Sequence, residues 1–218
     1  VINMCPDEAR EYWMALVENA TALIEDAATL APSSPARAQS LLVLAYEELG
    51  KAVWVYDAFE TAWQEGAGEP VAVPSLGAGA RRHSAKFLSA YSFSDVLPRF
   101  PIWVVNDEYP RPPAGDPLCE RYPGMVFVPP EILELAAKRA NDAKQRGFYV
   151  DRSSDGSVLT PGEARVFDLD VHLGHVAAAV VTMLVVDEYG ARLMGSSPER
   201  YSTLMWRLDR FAHDEHYA

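Results

Sequence analysis

Apolar residues recur at helical spacing along most of the chain, and they break off where Gly and Pro collect. The first periodic stretch predicts a helix from about Asp7 to Leu30, with Tyr12, Leu16, Leu23 and Leu30 on one side. Asn19 and Asp26, seven residues apart, fall on that same side and suggest a buried polar network. After a short link, Ser34 as N-cap and Pro35 at the first helical position open a second helix reaching about Gln64. About 30 helical residues span ~45 Å, and a short link makes consecutive helices antiparallel neighbours.

Within that second helix, Leu41, Leu44, Ala45, Ala52, Val55 and Phe59 share one side, and Glu48 projects from its centre with Glu47 and Lys51 on the rim. A carboxylate in an apolar stripe loses several kcal/mol of hydration unless it meets a cation or donors, so Glu48 calls for a partner elsewhere. Gly50, on the opposite side, costs about 1 kcal/mol against Ala in a helix, which suggests that another helix packs closely there.

Gly66 to Gly79 reads as loop, and a third helix follows from Ala80 to Tyr91. Its first turns gather Arg82, His83 and Lys86, three potential cations that repel unless an anion lies between them. Glu48 or a phosphate would serve. The span 94–130 carries too many prolines for a continuous helix and reads as an irregular insert, with Phe100 to Val105 and Met125 to Val128 as short extended pieces. A fourth helix from about Pro130 to Arg146 places Ile132, Leu135, Ala136 and Ala140 on its buried side.

Gly147 to Asp151, a Ser-Ser-Asp-Gly turn and Ser157 to Leu159 predict a small hairpin. Thr160, Pro161 and Glu163 supply the signature of a capped helix start, and that helix is expected to run to about Tyr189. Ser197 and Pro198 open a last helix through Met205, Trp206 and Phe211. The fold class is therefore all-α, an antiparallel helical bundle forming one domain over 1–218, with an irregular insert and a small hairpin.

Charge narrows the function. A net charge of -12 opposes a broad nucleic-acid footprint, so any RNA contact is local, at Arg81, Arg82 and Lys86 or at Lys138, Arg139, Lys144 and Arg146. Either cluster equally suits a solvated helix face. Cys5 and Cys119 make neither a disulfide framework nor a metal-ligand spacing, which fits a reducing cytoplasm. The longest apolar run, Val176 to Val186, falls short of the ~20 residues of a membrane span, and charges near the start argue against a signal peptide. Asp26, Glu48 and His83 could make a carboxylate metal site, but the paired Glu-x-x-His signature of di-iron bundles is lacking, so no metal or other cofactor is expected.

Asn19-Ala20 and Asp26-Ala27 on the first helix, Glu47-Glu48-Leu49-Gly50-Lys51 on the second, His83-x-x-Lys86, and the late Arg146-Gly147-Phe148-Tyr149-Val150-Asp151 together resemble the AbiV family of abortive-infection proteins, over roughly Glu18 to Pro161. Members of that family are placed in the HEPN superfamily of α-helical bundles. The resemblance implies a phage-defence role, often exerted as a toxin: a metal-independent ribonuclease that arrests growth or translation of infected cells, frequently as a homodimer. It equally allows a non-catalytic module that a phage or host protein triggers or that sequesters such a partner. Catalytic HEPN proteins pair an Arg with a His across four to six intervening residues; here six residues separate Arg165 from His172, and five separate Arg207 from His213. On one helix side Arg165 would hold a phosphate and His172 move a proton, although Asp168 and Asp170 lie between them. His83, with Arg82, Lys86 and Lys51 near Glu48, is the other candidate centre. Tyr149 and Asp151 match the late motif and suit a structural role with Asn19, Asp26 and Glu47.

Overall fold

The computed structural model describes residues 2–66, 68–77, 82–94, 130–164, 166, 168–193 and 201–212. The insert with its two expected extended pieces lies outside these residues, as do Arg165, Cys119 and His213. Helix α1 spans Pro6–Leu30 and opens with Glu8 accepting the Cys5 backbone N–H at 2.8 Å. Helix α2 spans Pro35–Glu65 and ends at Gly66, whose φ of 70° reverses the chain in the left-handed region that glycine tolerates. Ser34 stands at the N-cap position, but its side chain makes no capping bond.

Among the described residues the remaining helices are α3 (His83–Ser94), α4 (Pro130–Phe148), α5 (Leu169–Leu193) and α6 (Ser202–Ala212). Two small antiparallel pairs accompany them. Strand β1 (Ile2–Met4) pairs with β2 (Val71–Val73), and β3 (Asp151–Arg152) pairs with β4 (Val158–Leu159). The second pair is the expected hairpin. The first was not foreseen, because three residues at each site are too short to show a period.

Helix α2 is the axis of the bundle, packing against α1, α3, α4 and α5 at once. That position explains two departures from the sequence-based expectation. Ala45, Ala52, Val55 and Phe59 are buried as expected, but Leu41, Leu44 and Glu48 form the half-buried edge of α2, while Glu47 is buried at 3 % exposure. A helix enclosed on most sides has no single core stripe, so periodicity locates its outlet to solvent poorly.

On α1 the buried face is Ala9, Trp13, Leu16, Val17, Ala20, Thr21, Ile24 and Ala27. Half of it is small, Ala9, Ala20, Thr21 and Ala27, which lets α1 pack against α2. Asn19 and Asp26 are exposed, so the expected buried network between them does not exist. On α4, Ala136 and Ala140 are buried, whereas Leu135 is 39 % exposed.

The capping signature at Thr160 is real but closes only one 3-10 turn, Pro161–Glu163, with Thr160 donating its N–H and hydroxyl to Glu163. Ala164 is then extended and Asp168 has a φ of 48°, so α5 begins at Leu169 instead. The last helix is described from Ser202, and Ser197 and Pro198, its expected opening, lie outside the described residues.

In α5 the window Leu169–Ala191 has mean hydropathy 1.8, enough by length and composition to cross a membrane, and longer than the uninterrupted apolar run. Yet 56 % of it is buried against the other helices, as suits the core helix it forms. Near its end Asp187 accepts bonds from Arg10 at 2.9 Å and from the Tyr201 hydroxyl at 2.5 Å, tying α1, α5 and the start of α6 together. Arg10 also lies over the Trp63 ring at 3.7 Å.

Candidate functional site

Two glycines let α3 and α4 close on the same side of α2. A Cβ at Gly50 would collide with the backbone carbonyl of Lys86, so only a residue without one admits α3 there. A Cβ at Gly147 would strike Ser40 and the Ala36 carbonyl, so α4 is admitted the same way. Ser40 marks the second approach, donating to the Ala36 carbonyl at 2.9 Å and lying 3.1 Å from that of Lys144. Glu47 stands between the two contacts, one turn before Gly50 and two turns after Ser40.

Three nitrogen groups converge on its carboxylate. Lys86 Nζ lies 2.6 Å from Oε2, Lys144 Nζ lies 2.5 Å from Oε1, and His83 Nδ1 lies 2.9 and 3.0 Å from the two oxygens. Lys144 Nζ is also 2.8 Å from His83 Nδ1. Burial alone pushes the Glu47 carboxyl pKa up, but the hydrogen bonds from Lys144, Lys86 and His83 outweigh it and hold it below the usual carboxylate range. Burial pulls the Lys144 ammonium pKa down, with Glu47 opposing and Lys86 adding to the depression.

Access divides this cluster. The side chains of Glu47, Lys86 and Lys144 are 4 %, 9 % and 7 % exposed, whereas that of His83 is 43 % exposed. The imidazole therefore joins an enclosed charge cluster to the surface. With Nδ1 occupied and no described residue bonded to Nε2, the second ring nitrogen is the one a ligand would meet. Arg82, exposed, immediately precedes it at the start of α3.

The other expected residues fall elsewhere. Glu48 pairs with Lys51 of its own helix at 2.6 Å and raises the Tyr12 hydroxyl pKa secondarily to burial, so it does not meet the third helix. The expected role of Glu48 belongs to its neighbour Glu47. His172 is fully buried in α5, which starts at Leu169, and Arg165, its expected partner, lies outside the described residues. Tyr149 and Asp151 are exposed and line a cleft of ≈ 470 Å³ with Arg146, Leu159, Thr160 and Glu163. Among the described residues no group of three His, Cys, Asp or Glu side chains could hold a metal ion.

Lys144 is the site residue that sequence reasoning left among the surface cations. The signal was present, since it follows Ala136 and Ala140 at intervals of four and so extends the buried stripe of α4.

A family model described as AbiV (HEPN_AbiV) matches residues 8–182, which include α1 to α4, the hairpin and the first half of α5. No curated protein and no solved structure matches the chain.

Proposed function

The chain belongs to the AbiV family of HEPN proteins, which act in abortive infection and phage defence, and from that premise we propose that it cleaves RNA without a metal ion, using His83. One observation carries the reading: of the four side chains in the Glu47 cluster, only the imidazole opens to solvent. A carboxylate serving packing alone gains nothing from a partner left 43 % exposed at the protein surface.

Glu47 is the strongest acceptor beside His83, so in this mechanism Nδ1 keeps its proton and donates it as a hydrogen bond to the carboxylate, leaving Nε2 as the basic nitrogen. That nitrogen removes the proton of a ribose 2′-hydroxyl. The 2′-oxygen then attacks the adjacent phosphorus, the O2′–P bond forms and the P–O5′ bond breaks, and the departing 5′-oxygen takes a proton from water. Arg82 and the start of α3 favour the phosphate's negative charge. Glu47, Lys86 and Lys144 position the imidazole and do not touch the substrate. Lys51, paired with Glu48, has no part in the step.

A second reading rests on the same enclosure. Lys86 and Lys144 are spent on Glu47, leaving few cations for a polyanion in a chain of net charge -12, which favours a non-catalytic module that responds to a phage or host protein. Replacing His83 by Ala separates the two. RNA cleavage by the purified protein should drop by about 10²–10⁴-fold, together with protection of cells against phage. Protection that survives the substitution, with no cleavage by either protein, establishes the binding module instead.

A further inference from the structure

The late motif has no part in the His83 site, yet it surrounds a cleft. Arg146, in the last turn of α4, and Tyr149 and Asp151, just beyond it, face Leu159, Thr160 and Glu163 of the hairpin's second strand and the turn after it across a volume of ≈ 470 Å³. That is the size of small-ligand sites. Its groups are unspent. No described residue pairs with the Arg146 guanidinium, and Tyr149, 63 % exposed, lines the cleft together with Leu159, 44 % exposed. Asp151 uses one oxygen on the Arg152 backbone N–H at 2.7 Å, and Glu163 uses one on Thr160, so each keeps a second oxygen as acceptor.

We propose that this cleft binds a guanine nucleotide, with the base on Tyr149 and Leu159, the phosphate on Arg146, and the Watson–Crick edge facing the carboxylates. An aromatic ring beside an aliphatic side chain suits a flat base, and an unpaired guanidinium suits a phosphate. The carboxylates choose the base. Both are acceptors only, and guanine is the base whose Watson–Crick edge presents two adjacent N–H donors. Lys138 and Arg139 lie on the same outward face of α4 as Arg146, two turns earlier, so the approach along the helix is locally basic despite the acidic whole. The nucleotide is either free or one residue of a single-stranded RNA. In the second case the cleft deepens the RNA reading by naming what the substrate presents.

The experiment measures binding apart from cleavage. His83→Ala protein, used to suppress any RNA cleavage at that site, is titrated calorimetrically with 5′-GMP, 5′-AMP, and two short single-stranded RNAs that differ only in one G replaced by A. Preference for GMP over AMP by about tenfold is expected. Tyr149→Ala and Arg146→Ala, both at exposed positions, should each weaken GMP binding by at least about fivefold. Asp151→Asn should remove the preference. An RNA bound more tightly than GMP, through the same residues and only when it carries G, identifies RNA as the source; no gain over GMP identifies a free nucleotide. No binding of GMP or of the G-containing RNA overturns the assignment. So does binding that ignores Tyr149 and Arg146, or equal affinity for both bases. Loss of cleavage on replacing His83 in otherwise wild-type protein bears only on the His83 reading.

Discussion

Glu47 and Lys144, 97 positions apart, meet at 2.5 Å between carboxylate and ammonium in a part of the protein from which water is almost excluded. Lys86 and His83 complete the set, so a single carboxylate joins α2, α3 and α4. Removing the one anion would leave two enclosed ammonium groups facing each other. Glu47→Gln should therefore cost about 3–5 kcal/mol in denaturant unfolding. Glu48→Gln, which breaks only a partly buried pair within one helix and leaves Lys51 able to reach solvent, should cost less than about 1 kcal/mol. Equal costs at the two positions would show that the enclosed cluster does not hold the helices together.

The same cluster fixes the sign of a pH effect. The Glu47 carboxyl has a folded pKa held below the ordinary 4.5. A group with a depressed folded pKa contributes stability that is complete above the unfolded value and is lost as pH falls through the folded one. Melting temperatures measured from about pH 6 down to about pH 3 should fall more steeply for the wild type than for Glu47→Gln. Parallel curves would mean that Glu47 does not carry the acid sensitivity.

Much of this arrangement was legible beforehand, and the failures have physical reasons. The bounds of α1, α2 and α4 followed from periodicity to within about two residues, with Pro35 marking the start of α2, and Gly50 announced a close helix before its partner was known. The choice of Glu48 over Glu47 failed because α2 is covered by four other helices and its outlet to solvent runs along Arg37, Leu41, Leu44, Glu48 and Lys51, the side that periodicity had taken for the core. Thr160 misled differently. A capping box is a local bond pattern that one 3-10 turn can satisfy, and nothing in it requires the helix to continue past Ala164. Lys144 was passed over because a lysine is normally a surface residue, and only its register with Ala136 and Ala140 pointed inward.

At the far end of the bundle, Asp187 is 5 % exposed and holds Arg10 and Tyr201 on two other elements. Asp187→Asn keeps the shape but removes the charge that offsets the Arg10 guanidinium, and should destabilise by about 2–4 kcal/mol. Because this network shares no residue with the Glu47 cluster, its cost should add to that of Glu47→Gln within about 0.5 kcal/mol. A double variant much more stable than the sum would reveal coupling between the two ends.

Gly50 offers the sharpest contest between local propensity and packing. On an isolated helix Gly→Ala gains about 1 kcal/mol. Here the added methyl would run into the Lys86 carbonyl, a backbone atom with no rotamer to escape by, so α3 must move off α2. The displacement carries His83 and Lys86 away from Glu47, whose bonds to them are 2.9 and 2.6 Å long. Packing strain and lost ion pairs therefore act together against the propensity gain. Gly50→Ala should lower stability by at least about 2 kcal/mol and, if His83 moves the proton, lower RNA cleavage in protein still folded at assay temperature. Gly147→Ala, which pushes α4 off Ser40 and Ala36, separates the contributions: it disturbs Lys144 while leaving α3 in place. Stability raised by either alanine would mean that the helices do not approach as closely as the site requires.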